Sequence, residues 1–122
     1  MIETAHIYGA ACYAGAFTAT ECLTAMRAGA EMIKVFPAAL AGPSYMTNLR
    51  MVYPEINLIP SDGINPKTAG AFIRCGAVAI SGARNFMDPE AVRQHGTRWI
   101  TERTAEYVAI VARAKAEAPP LP

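Results

Sequence analysis

Lys34 stands inside "EMIKVFPA", residues 31 to 38, a stretch whose other residues read as a buried strand. A lysine amine kept from water loses its proton more easily, and the neutral amine can attack a carbonyl carbon to form a Schiff base. The iminium so formed is an electron sink that lets a neighbouring C–C bond break without a free enolate. The competing reading is a packed aliphatic stem with its ammonium reaching solvent near the strand end. Two later segments bear on the choice, "PSDGIN" (60 to 65) and "SGARNF" (81 to 86). Each is a turn of small residues with exposed backbone N–H groups, and adjacent turns of this kind at the C-terminal ends of parallel strands can cradle a phosphate. Alone, each is also an ordinary tight turn. Together with Lys34 on the same rim, they point to a site for a phosphorylated carbonyl compound.

The elements that must position these groups repeat. From residue 10 a short apolar strand, a turn and an alanine-rich helix recur four times, with strands expected at Ala10 to Gly15, Glu31 to Phe36, Ile56 to Pro60 and Ala77 to Ser81. Their starts lie 21, 25 and 21 residues apart, the spacing of βα units in a parallel sheet. Within Met32 to Phe36, alternation puts Met32, Lys34 and Phe36 on one face and Ile33 and Val35 on the other. "TATE" is a capping box of Thr18 and Glu21, while Asn65–Pro66 and Asp88–Pro89 read as N-caps followed by proline at the first helical position. Gly29 and Gly76 are expected to end helices in left-handed conformation. Residues 1 to 9 look like the last turns of a helix. Residues 97 to 118 form a long helix with Ile100, Thr104, Tyr107, Val108 and Val111 facing the last strand, and the Pro-rich end should fray. A single domain is expected over residues 1 to 122.

Composition excludes several classes of function. The chain of 122 residues is 52% hydrophobic, and its eleven basic and ten acidic side chains leave a net charge of +1 without a basic stripe, so nucleic acid and anionic membrane are not expected partners. No apolar run has the length of a membrane span, and no signal peptide is evident, so a cytoplasmic location is expected. Cys12, Cys22 and Cys75 are irregularly spaced among small or apolar residues and read as buried reduced thiols. With two histidines and no paired Cys or His spacing, a zinc site is not expected.

"GAFTATECLTAMRAGAEMIKVFPA", "LIPSDGIN" and "GAVAISGARNF" together resemble the class I aldolases that cleave 2-keto-3-deoxy-6-phosphogluconate (KDPG) or 4-hydroxy-2-oxoglutarate. "IETAHIYGAACYAGAF" extends the resemblance, which covers residues 2 to 90. It implies an α/β fold, the C-terminal half, about four βα units, of a TIM (β/α)8 barrel. It also implies that Lys34 forms the Schiff base with the keto acid, with Phe36, Pro37 and Gly15 beside the substrate. Ser61, Asp62 and Gly63, with Ser81, Gly82 and Ala83, would hold the phosphate. The implied reaction is cleavage of KDPG to pyruvate and glyceraldehyde 3-phosphate, with the galactonate epimer or 4-hydroxy-2-oxoglutarate as alternative substrates. No cofactor or metal is implied. The family is often trimeric, so a homo-oligomer is expected.

This sequence departs from the family pattern in four places. Ala14–Gly15 replaces a usual Pro-Gly, Asp62 replaces the first glycine of the phosphate turn, and Ala83 stands where a serine is common. A carboxylate at Asp62 repels phosphate unless it turns away or Arg84 neutralises it. The fourth departure is length. Four units fill half of a closed wall, and the family's catalytic glutamate lies on an early strand without a counterpart here. Glu21 and Glu31 are read as a cap and a strand-edge residue, not as bases. A half wall exposes two strand edges, which favours pairing with a second copy or with an N-terminal half, and a non-catalytic half-barrel is the second reading. An epimerase or isomerase on phosphosugars shares the glycine turns but lacks the lysine, and ranks third.

Overall fold

The computed structural model describes residues 1–118. Three parallel strands form one sheet in the order β1 (Tyr13–Ala16), β2 (Met32–Val35), β3 (Leu58–Pro60). The register pairs Gly15 with Lys34 and Lys34 with Ile59. The first three expected strands shed seven residues at their starts or ends, and the reasons are local. The Cys12 N–H donates to the Glu31 carboxylate at 2.7 Å, so the first strand begins only at Tyr13. The expected fourth strand forms no extended ladder. Its Val78 N–H donates to Leu58 O and its Ser81 N–H to Pro60 O, both at 3.0 Å, and Ser61 and Ser81 make an isolated parallel bridge. The fourth segment therefore lies beside β3 in parallel sense.

Helices cover one face of the sheet. They are α1 (Ile2–Ile7), α2 (Ala19–Arg27), α3 (Ala38–Ala41), α4 (Ser44–Val52), α5 (Ala69–Arg74), α6 (Pro89–His95) and α7 (Arg98–Glu117). None is long and apolar enough to cross a membrane. Ala16, Ile33, Val35 and Leu58 point into this covered side and join Cys22, Met46, Leu49, Phe72, Ile73 and Tyr107 in the core. At about 25 cal/mol per Å² of apolar surface, each large buried aliphatic side chain there contributes roughly 1.5–3 kcal/mol.

The helix signals resolve unequally. Thr18 and Glu21 form the full capping box, and the Asp88 carboxylate accepts from the Glu90 and Ala91 N–H groups with Pro89 at the first position of α6. At Asn65 the expectation is corrected. The Asn65 side chain does accept from the Lys67 and Thr68 N–H groups, but residues 65 to 68 form a turn and α5 starts at Ala69. Thr68 Oγ1 bonds Gly63 O at 2.9 Å, which diverts the chain before the helix begins. Gly29 and Gly76 take φ of 93° and 100° just beyond α2 and α5. After β2 the single expected helix is two, α3 and α4, separated by Gly42 and Pro43. Tyr107 of α7 is buried as expected but Val108 is 63% exposed, and α7 packs chiefly on α5. Of the cysteines only Cys22 is buried; Cys12 and Cys75 are half-buried, and all three are free. The Pro-rich end lies, from residue 119 onward, outside the described residues.

Candidate active site

The other face of the sheet carries Tyr13, Gly15, Met32, Lys34 and Ile59. Lys34 is exposed on this face, and Phe36, one strand step beyond it, is 58% exposed. The expectation that Lys34 shares a dry face with Met32 and Phe36 is thus corrected: the three do share a face, but it is dry only in part, with Ile59 buried and Met32 half-buried while Lys34 and Phe36 are exposed. Gly15, the register neighbour on β1, has no atom within 4 Å of where a side chain would begin, so the space beside Lys34 is open. None of the side-chain ion pairs among the described residues includes Lys34.

The rim beyond the strand ends is firmly tied. Ser61 is buried, and its N–H donates to Val35 O at 2.9 Å while its carbonyl accepts from the Ala38 N–H at 2.8 Å. These two bonds clamp the turn after β3 onto the end of the lysine strand, next to Pro37. Asp62 and Gly63 follow in left-handed conformation, φ 76° and 71°. A side chain at Gly63 would begin 2.6 Å from the Ala39 Cβ, so only glycine lets α3 approach. Gly82 is confined in the same way by the Phe86 ring. Among the described residues, the N–H groups of Asp62, Gly63, Gly82 and Ala83 donate to no protein acceptor. Ser61, Asp62 and Gly63 therefore lie alongside Ser81, Gly82 and Ala83, joined through the Ser61–Ser81 bridge, with free donors at the strand ends.

Several supporting residues carry no sequence signal of their role. The Tyr45 hydroxyl donates to Phe17 O at 2.7 Å, fixing the exit of β1, and its burial pushes the phenol upward in pKa. Asn85 donates its side-chain amide to Ile64 O and so links the two turns. Glu21 and Glu31 are both occupied elsewhere. The Glu21 carboxylate accepts the Thr18 and Phe17 N–H groups, which hold it below the usual carboxylate range. Glu31 lies at the opposite end of the sheet, bound to the Cys12 N–H and to His6 Nε2 at 2.9 Å, and is lowered chiefly by the Cys12 bond. Neither is placed to exchange protons beside Lys34.

Comparisons with known proteins follow this geometry. The family model for KDPG and KHG aldolases matches residues 1–103. The 2-dehydro-3-deoxy-6-phosphogalactonate aldolase of Escherichia coli (strain K12) is 32% identical over 120 residues, covering 97% of this chain and 54% of that protein. A probable 2-dehydro-3-deoxy-6-phosphogalactonate aldolase of Rhizobium meliloti (strain 1021) is 44% identical over 112 residues, 88% of this chain and 53% of the relative. A solved structure described as native KDPGal superposes with a TM-score of 0.82 at 28% identity, over 93% of this chain and 53% of the other. This chain spans about half the length of the curated relatives it matches. With the match running from α1 through both turns and into α7, the chain belongs to the KDPG and KHG aldolase family.

Proposed function

We propose that this chain carries the Schiff-base half of a class I aldolase, with Lys34 as the nucleophile. The observation that carries the reading is the placement of an exposed Lys34 on the sheet face away from the core, with the side-chain-free Gly15 beside it and two donor-rich turns at the rim. The neutral Lys34 amine adds to the C2 keto carbon of a 2-keto-3-deoxy sugar acid, and loss of water leaves the iminium. Removal of the C4 hydroxyl proton then breaks the C3–C4 bond, the aldehyde departs, and the bond's electron pair moves into the iminium to form an enamine. Protonation at C3 and hydrolysis release pyruvate and free the amine. Phe36 and Pro37 flank the pyruvyl end, and the turns of Ser61, Asp62, Gly63 and Ser81, Gly82, Ala83 receive the tail.

The substrate class follows the relatives. Both curated relatives are named for the phosphogalactonate, so the galactonate epimer leads, ahead of the phosphogluconate and of 4-hydroxy-2-oxoglutarate. The sheet is proposed as half of a (β/α)8 wall, because among the described residues β1 and the fourth segment are both open edges and Lys34 is exposed on its face of the sheet. A partner half closing the wall dries that face and supplies the acid/base group that neither Glu21 nor Glu31 provides. Such a group is worth ~10²–10⁴-fold in rate. The likeness to a designed cage built by fusing symmetric oligomeric domains supports assembly through this kind of domain.

Trapping with pyruvate and borohydride tests the reading. A reduced pyruvyl adduct on Lys34, located by peptide mass spectrometry and absent in Lys34→Ala, is the expected result. The exposure of Lys34 favours the second reading, a half-barrel that binds without turning over. A folded sample that yields no adduct would decide for it.

A further inference from the structure

We propose that Asp62 is a specificity residue that reduces the advantage of a phosphorylated tail, so that non-phosphorylated 2-keto-3-deoxy sugar acids are accepted on comparable terms. The inference rests on the Schiff-base reading and narrows its substrate. Asp62 is the one non-glycine residue with positive φ among the described residues, at 76°. Its backbone is imposed from both sides: Ser61 is clamped to Val35 and Ala38, and Gly63 is wedged against Ala39. The left-handed conformation is therefore set by packing, and glycine would serve the turn as well. Aspartate at this position sets a carboxylate in the turn where glycine would set none.

That carboxylate is exposed, and no ion pair among the described residues includes it. Arg84, which could have neutralised it, forms no such pair. An unpaired anion thus shares a turn with the free N–H donors of residues 62 and 63. Donors alone favour any oxyanion; donors beside a carboxylate suit a group that both donates and accepts, and a sugar hydroxyl does both. A phosphate dianion meets repulsion instead. One negative charge against two at ~6 Å in a water-like medium weakens binding about tenfold.

The test uses Asp62→Asn, which removes the charge while keeping a residue that tolerates the left-handed conformation, with Asp62→Gly as a second variant. Inorganic phosphate is titrated at low salt while the amide signals of residues 61 to 64 and 82 to 84 are followed by NMR. Both variants should bind phosphate about tenfold more tightly than the parent, with the gap closing at high salt. In borohydride trapping, the ratio of half-saturating concentrations for 2-keto-3-deoxygalactonate and its 6-phosphate should shift by the same factor. Equal phosphate affinity in all three proteins, or no binding in any, would overturn the proposal. Pyruvate trapping on the same samples reads Lys34 separately: no adduct there removes the Schiff-base reading and leaves the phosphate result to judge Asp62.

Discussion

Replacing Gly63 with alanine should destabilise the protein by about 3 kcal/mol, although it adds a single methyl group. Three effects combine. An L-residue in left-handed conformation costs roughly 1–2 kcal/mol, and Gly63 has φ 71°. The new Cβ would begin 2.6 Å from the Ala39 Cβ and 3.0 Å from the Ala39 Cα, an overpacking that costs roughly 1–3 kcal/mol because part of the obstacle is backbone. Against these, alanine lowers the entropy of the unfolded chain by an amount worth about 0.4–1 kcal/mol. Urea unfolding followed through Trp99, the single tryptophan, gives the shift in midpoint at unchanged slope. Adding Ala39→Gly removes the Cβ–Cβ clash, so a double-mutant cycle should show favourable coupling between the two sites. The neighbouring Asp62→Gly should move the other way, stabilising by about 0.5 kcal/mol, since relief of the left-handed cost exceeds the added chain entropy. A Gly63→Ala protein within about 0.5 kcal/mol of the parent would refute the reasoning, because the rim would then have room that the geometry denies.

Arg50 is buried, and its guanidinium donates to Ile56 O and Pro54 O at 3.3 and 3.0 Å, so Arg50→Met should cost about 2 kcal/mol in urea unfolding by stranding these carbonyls. At Glu31 the folded carboxylate is held below its ordinary pKa, first by the Cys12 N–H, so its stabilisation is full above the ordinary carboxylate value and is lost as pH falls through the folded value. Glu31→Gln should therefore lower the melting temperature at pH 7 and converge with the parent under strongly acidic conditions; a constant difference across pH would contradict this.

Much of the frame was legible because it depends on local chemistry. The capping box at Thr18, the proline-led cap at Asp88 and the left-handed glycines at 29 and 76 each satisfy nearby backbone groups, and all appear at the expected residues. The strand ends were less legible, because they depend on partners far along the chain. Ala10 to Cys12 leave the sheet because Glu31 takes the Cys12 N–H, and among the described residues the fourth segment has no outer neighbour to complete its ladder. Alternation in "MIKVF" gave the right face for Lys34 but not its hydration, which is decided by what covers the sheet. Asn65 capped a turn instead of a helix because Thr68 competes for Gly63 O.

The least legible feature is how the second turn is held, and it changes the part assigned to α7. Sequence periodicity makes α7 a cover for the last strand. In the structure the Phe86 ring stacks on Tyr107 at 4.0 Å between centroids and confines Gly82, while Arg103 lies over Tyr107 and donates to Asn85 O at 3.2 Å. Asn85 in turn bonds Ile64 O, beyond Gly63. A continuous set of contacts thus runs from α7 through residues 85 and 86 to both donor-rich turns, while Lys34 is held between β1 and β3, with the first turn clamped to its strand through Ser61. The lysine strand and the second turn therefore rest on different supports, while the first turn is tied to both. Under the proposed function, substitutions at residues 82 to 86 should therefore alter tail selection while leaving borohydride trapping at Lys34 unchanged, whereas changes at Ser61 should disturb both.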